Sequence, residues 1–198
     1  MKRGTLTLSL VLSAVALSAA ACSESDSDSS DGSPPSPTSA SSSAPPIVEP
    51  VTPPGTELKL GDRAVIDYDN GIERGLLAIT VTSIEPANQA EFAAAYGEQA
   101  QGLTPYCTRY TVENLSGADF GTKNGPQIEA LVEDDETTGT FLTGGIPSCQ
   151  PRMSPGDFDH PGARYETADL DATGADETVI AARYDEHDYG DAPLVWRP

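Results

Sequence analysis

Leu76-Leu77-Ala78-Ile79-Thr80-Val81-Thr82-Ser83-Ile84 is the stretch from which the fold is read. Leu77, Ile79 and Val81 take one side and Thr80 and Thr82 the other, the period of two that marks a strand with one face in a core. Upstream, residues 64–68 (Ala-Val-Ile-Asp-Tyr) repeat the pattern, and Asp69-Asn70-Gly71 is a turn signal that makes the two runs a hairpin. Downstream, Pro86 ends the strand. Asn88 then stands as a helix cap with Glu91 three residues on, Phe92 and Tyr96 are spaced i and i+4, and Gly97 supplies the stop. These residues predict one short crossover helix packed over an open edge.

Residues 106–112 read as the next strand, with Tyr106, Tyr110 and Val112 on one face and Cys107 and Arg109 on the other. Further strands are predicted at 127–132, 139–142, 163–170, 178–184 and 193–196. Turn residues at 144–147, 155–157 and 172–174 divide them, and Trp196 is expected to plug one end of the core. Seven or eight short strands at this spacing indicate an all-β, antiparallel β-sandwich.

The 198 residues are not uniform. Lys2 and Arg3 precede an uncharged, largely apolar run over 5–21, shorter than the roughly 20 residues of a membrane span and ending in Ala19-Ala20-Ala21. This is the pattern of a signal peptide, 1–21. The next residue is Cys22, and Ala19-Ala20-Ala21-Cys22 resembles the lipobox of bacterial lipoproteins, which implies lipidation of Cys22 and anchoring through more than one acyl chain. Residues 22–57 are rich in Ser, Pro and Asp, too poor in apolar groups to offset the entropy of ordering them. They are expected to form a disordered tether holding the domain about 30–40 Å from the lipid. The folding unit is therefore 58–198, a size that buries about two-thirds of its unfolded surface.

The net charge is −20, and the folding unit holds 25 of the 31 acidic residues against nine Lys and Arg. So negative a surface repels phosphate backbones, which argues against nucleic acid as a partner. With Cys22 assigned to lipid, Cys107 and Cys149 remain, and in an exported protein such a pair is expected to form a disulfide. Closing the loop between them contributes roughly 4 kcal/mol in the chain-entropy model. The sequon Asn114-Leu115-Ser116 carries no expected role.

The runs Leu58-Lys59-Leu60-Gly61-Asp62, 78–86, 104–114 and Pro193-Leu194-Val195-Trp196 resemble actinobacterial lipoproteins with a single immunoglobulin-like domain, a group similar to the secreted immunoprotective antigens of mycobacteria. The resemblance implies an immunoglobulin-like sandwich at the outer face of the cell membrane, lipid-anchored or released outside the cell. It implies no catalytic residue.

Chemistry-bearing motifs are sparse. No serine of the folding unit sits in a Gly-x-Ser-x-Gly elbow, and Gly121-Thr122-Lys123-Asn124-Gly125 lacks the spacing of a phosphate loop. His160 and His187 are the only imidazoles. The densest cluster, Asp185-Glu186-His187-Asp188-Tyr189-Gly190-Asp191, is predicted to connect the last two strands as a solvated acidic loop, with Asp159 and His160 as further groups. Carboxylates in such a loop suit Ca²⁺, although the EF-hand register is missing. Glu133-Asp134-Asp135-Glu136 reads as a hairpin tip. The expected function is an envelope binding or interaction module, without catalysis, cofactor or bound metal, contacting an envelope protein or a cell-wall ligand. A divalent-metal protein using 185–191 and an uncharacterised hydrolase are the alternatives.

Overall fold

The structure is a computed structural model and describes residues 49–133, 136–140 and 142–198. The predicted signal peptide, Cys22, most of the predicted tether, and Asp134, Asp135 and Phe141 lie outside the described residues.

Among the described residues eight strands form two four-stranded sheets. In one sheet β2 (Arg63–Asp69), β3 (Arg74–Pro86), β4 (Leu103–Asn114) and β6 (Arg164–Gly174) lie in that order, all antiparallel. In the other, β1 (Glu57–Lys59) pairs in parallel with β8 (Leu194–Arg197), which continues antiparallel to β7 (Ala181–Tyr184) and β5 (Glu129–Leu131). The predicted β-sandwich is thus present, antiparallel in all but the β1–β8 pair. Its main core joins Ile66, Leu77, Ile79, Val81, Tyr110 and Val112 of the first sheet to Ala182, Tyr184, Leu194 and Trp196 of the second. Trp196 is fully buried there, and its indole N–H donates to Asp62 O at 3.1 Å.

The expected domain edge at Leu58 falls inside β1, and the chain is already docked before it. Thr52 exchanges backbone and side-chain hydrogen bonds with Val65, and Gly55 N donates to Ala192 O.

α1 (Gln89–Tyr96) starts where the cap was read, with Asn88 Oδ1 accepting from Ala90 N and Glu91 N. It is not a crossover, because β3 and β4 on either side of it are hydrogen-bonded neighbours. Instead it folds over the outer face of its sheet. There Phe92 forms a second, smaller core with Cys107, Ile146, Cys149, Ala168, Leu170 and Ala172. Glu91 Oε2 accepts from Ser148 N at 2.8 Å and the Tyr96 hydroxyl donates to Thr143 O, tying the helix to the loop that carries Cys149.

Two further expectations are corrected. Residues 172–174 are not a turn: β6 runs on to Gly174, because Ala172 is needed under α1 and Thr173 is fully buried. Among the described residues of 139–142 there is no strand, and just beyond β5 Val132 N donates to Glu136 O. Asp134 and Asp135 of the expected acidic hairpin tip lie outside the described residues.

Asn114 is fully buried. Its Nδ2 donates to Ala118 O and Phe158 O, and its Oδ1 accepts from Gly117 N. The sequon asparagine is therefore a structural post for the loop after β4, with its amide nitrogen already committed to two carbonyls.

Candidate functional site

Three loops meet around a cleft of about 750 Å³. The first is the β2–β3 turn, built as its sequence demands. Asp69 Oδ1 accepts from Gly71 N at 2.7 Å, Asn70 Oδ1 accepts from Ile72 N and Glu73 N, and Gly71 takes φ 82°, a conformation that costs glycine little. The turn holds Ile72 79% exposed at its tip. The second loop contains Lys123, Asn124 and Gln127, and the hydroxyl of Ser154 braces it by accepting from Lys123 N at 3.0 Å. The third is the β7–β8 connection, where a 3₁₀ turn over His187–Tyr189 begins with His187 at φ 55°. Thr122, beside Lys123, is the other non-glycine residue with positive φ among the described residues, at 54°. Backbone conformations of this kind concentrate at functional positions.

The acidic loop over 185–191 is not uniformly solvated. Asp185 pairs with Arg183 at 2.7 Å, and Tyr189 is buried against Tyr184 with its hydroxyl donating to Thr52 O at 2.9 Å. Only Glu186 and His187 of this loop line the cleft. Glu186 Oε2 is buried without a hydrogen-bond partner, and burial raises its carboxyl to about 6. The Tyr184 hydroxyl is buried near Glu186, and burial together with the charge of Glu186 raises it strongly. On the opposite wall Tyr68 is pushed up to about 12 by burial and by Glu186, with its hydroxyl donating to Asn124 O at 3.3 Å. The cleft thus combines an apolar tip, amide groups, and a carboxyl that changes charge in mildly acidic solution.

Among the described residues no group of three or more His, Cys, Asp or Glu side chains gathers as metal ligands. Asp159 and His160 contact each other at 3.2 Å and line no part of the cleft. Cys107 and Cys149 are bonded, with Cα atoms 5.8 Å apart.

Sequence reasoning missed the most unusual polar group of the sandwich interior. On β6, Asp169 Oδ2 accepts from Ile128 N at 2.8 Å and lies 2.9 Å from the Tyr110 hydroxyl, while Asp171 Oδ2 accepts from Ala130 N at 3.3 Å. Desolvation raises both carboxyls, Asp171 to about 7, the neighbouring Asp169 adding to the effect. The only available signal was the i, i+2 spacing of two acids inside a strand, which ordinarily marks a solvated face.

No family model matches the chain, and no curated protein matches it. Among solved structures it is similar to MPT63, a secreted protein from Mycobacterium tuberculosis, at a TM-score of 0.52 and 14% sequence identity, over 72% of this chain and 97% of that one. The likeness read in the sequence to secreted mycobacterial proteins is thereby supported at the level of fold, and this chain is a β-sandwich of the kind that the secreted protein shows.

Proposed function

We propose that this protein is an exported binding module whose β-sandwich presents the cleft between the 69–72 turn, the 123–127 loop and Glu186-His187 to a partner outside the membrane. The observation that carries the reading is the pairing of an exposed Ile72 with a buried, unpartnered Glu186 oxygen at one loop-built cleft. An apolar anchor beside a few convergent polar groups is the usual make-up of a recognition site. The secreted structural neighbour supports a place outside the cell. Lipidation of Cys22 anchors the protein at the outer face of the membrane, and the partner is an envelope protein or a cell-wall component rather than nucleic acid. Binding proceeds without catalysis.

Cross-linking in the native envelope tests this. A partner captured by the wild type and lost in both Ile72→Asp and Glu186→Gln is the expected result. An unchanged set of partners in both variants overturns the reading.

A further inference from the structure

We propose a second site, for an acidic saccharide, on the outer face of the β2–β3–β4–β6 sheet. Two adjoining grooves of about 380 and 640 Å³ lie there, sharing Thr111, Arg152 and Glu166 along their common border. Arg109 stands in one and Arg164 in the other. Neither groove shares a lining residue with the cleft between the loops.

Charge separates this face from the rest of the domain. The folding unit carries 25 acidic residues against nine basic ones, yet three of the nine line these grooves against the single carboxylate of Glu166. Elsewhere Arg63, Arg74, Arg183 and Arg197 each pair with a carboxylate. Arg164 shares Glu113 with Arg63. Among the described residues Arg109 has no carboxylate within ion-pair distance, and the guanidinium of Arg152 has neither an ion pair nor a hydrogen bond. The net charge of −20 does not cancel this local field, because exposed charges beyond a Debye length of roughly 10 Å at 0.1 M salt are largely screened.

The walls are built rather than incidental. Ile146 and Cys149 exchange backbone hydrogen bonds in a tight turn, and the Cys107–Cys149 disulfide pins that turn to β4 two residues before Arg109. The turn presents Ser148 O to Arg109 Nη2, which fixes the guanidinium and leaves its other N–H groups to the groove. On the far side, Thr167 Oγ1 accepts from Arg152 N at 2.8 Å and holds the 152–155 segment along the β6 edge. Thr82, Thr111 and Gln150 also line the smaller groove. Guanidinium forks suit a carboxylate or phosphate, and short hydroxyl and amide side chains suit sugar hydroxyls.

The test is a titration of the intact chain at about 0.1 M salt, where the distant acidic groups are screened, followed by amide chemical shifts. Oligogalacturonate supplies a carboxylate and glucose 6-phosphate a phosphate, with maltotriose and inorganic phosphate as controls. Either acidic sugar should shift residues 109, 111, 148, 152 and 166 while leaving 70–72 and 186–187 unmoved, and which of the two binds identifies the anion. Arg152→Gln, whose guanidinium has no ion pair or hydrogen bond to lose among the described residues, should weaken binding about tenfold. Glu166→Gln should tighten it. Equal binding of maltotriose, binding of inorganic phosphate as tight as that of either acidic sugar, shifts scattered over the surface, or no change in Arg152→Gln would overturn the proposal. Such failure leaves the loop cleft untouched, since its own residues report on it separately.

Discussion

Asp171 accepts the backbone N–H of Ala130 across the open edge of the sandwich, one rung along from the bond that Asp169 makes with Ile128. Alternate residues of β6 thus serve alternate amides of the β5 segment, so two carboxylates stand in for the strand that this edge lacks. Orphan edge donors are satisfied without further strand pairing.

The arrangement makes stability depend on pH. The folded carboxyl of Asp171 is raised from its ordinary 3.8 to about 7 by burial and by Asp169, with Glu129 adding to the rise and the Ala130 N–H opposing it. The folded state therefore binds more protons than the unfolded state between these values. The stabilisation is complete below about pH 4 and is lost as pH rises through 7. Asp171→Asn keeps an acceptor for Ala130 and removes the charge. Its stability relative to wild type should improve by on the order of 2–4 kcal/mol between pH 4 and pH 8. Urea midpoints at the two pH values measure this, and a pH-independent difference would rule out the assigned titration.

Loss of the disulfide should be felt in two places. Cys107→Ser should lower stability by about 2–5 kcal/mol and leave Cys149 open to thiol reagents once the protein unfolds. Because Ile146, Phe92 and Leu170 share the same small core, protection of α1 amides from hydrogen exchange should fall with it. Unchanged exchange in α1 would show that the helix is held by its other contacts alone.

Asn114→Ala should be costly for a change at the end of a strand. It strands two carbonyls and one amide around a fully buried site, and the expected destabilisation is about 2–4 kcal/mol. Asn114→Asp should fare no better, since the carboxylate cannot donate to Ala118 O and Phe158 O. A shift of the unfolding midpoint within error for either variant would refute the role of post.

On the proposed lipid attachment, the mature protein should partition into detergent and Cys22→Ser should either release it or stop maturation. Mass spectrometry of the N-terminal peptide distinguishes the outcomes. Wild-type protein recovered wholly in the aqueous phase would exclude the anchor.

The parts of the fold that sequence revealed are those governed by local rules. Leu77, Ile79 and Val81 alternate because one face of β3 meets the core, and all three are buried. Asn88, Glu91 and Gly97 mark α1 because helix ends need partners for their backbone groups. What stayed hidden depends on two-sided burial. At its far end β6 is covered on both faces, by α1 over Leu170 and Ala172 and by the opposite sheet over Asp169 and Asp171, so its acids mimic a solvated face and its end mimics a turn. The cleft was half visible. Its turn chemistry and the acidic loop stand out in the sequence, but that Glu186 turns inward while Asp185 pairs with Arg183 follows from strand register, which no local pattern encodes.

The parallel pairing of β1 with β8 also has a mechanical meaning. Glu57 lies opposite Val195 and Lys59 opposite Arg197, while Val195 N reaches Thr56 O and Leu60 N reaches Arg197 O. Tension applied through the chain before Glu57 and after Arg197 pulls these two strands past each other along their length. Their hydrogen bonds lie across the direction of pull and carry the load together, where an antiparallel pair pulled from one end would unzip rung by rung. A pull from the N-terminal side meets the docking of Thr52 on Val65 and of Gly55 on Ala192 first, and the parallel pair stands behind them as a shear-loaded clamp.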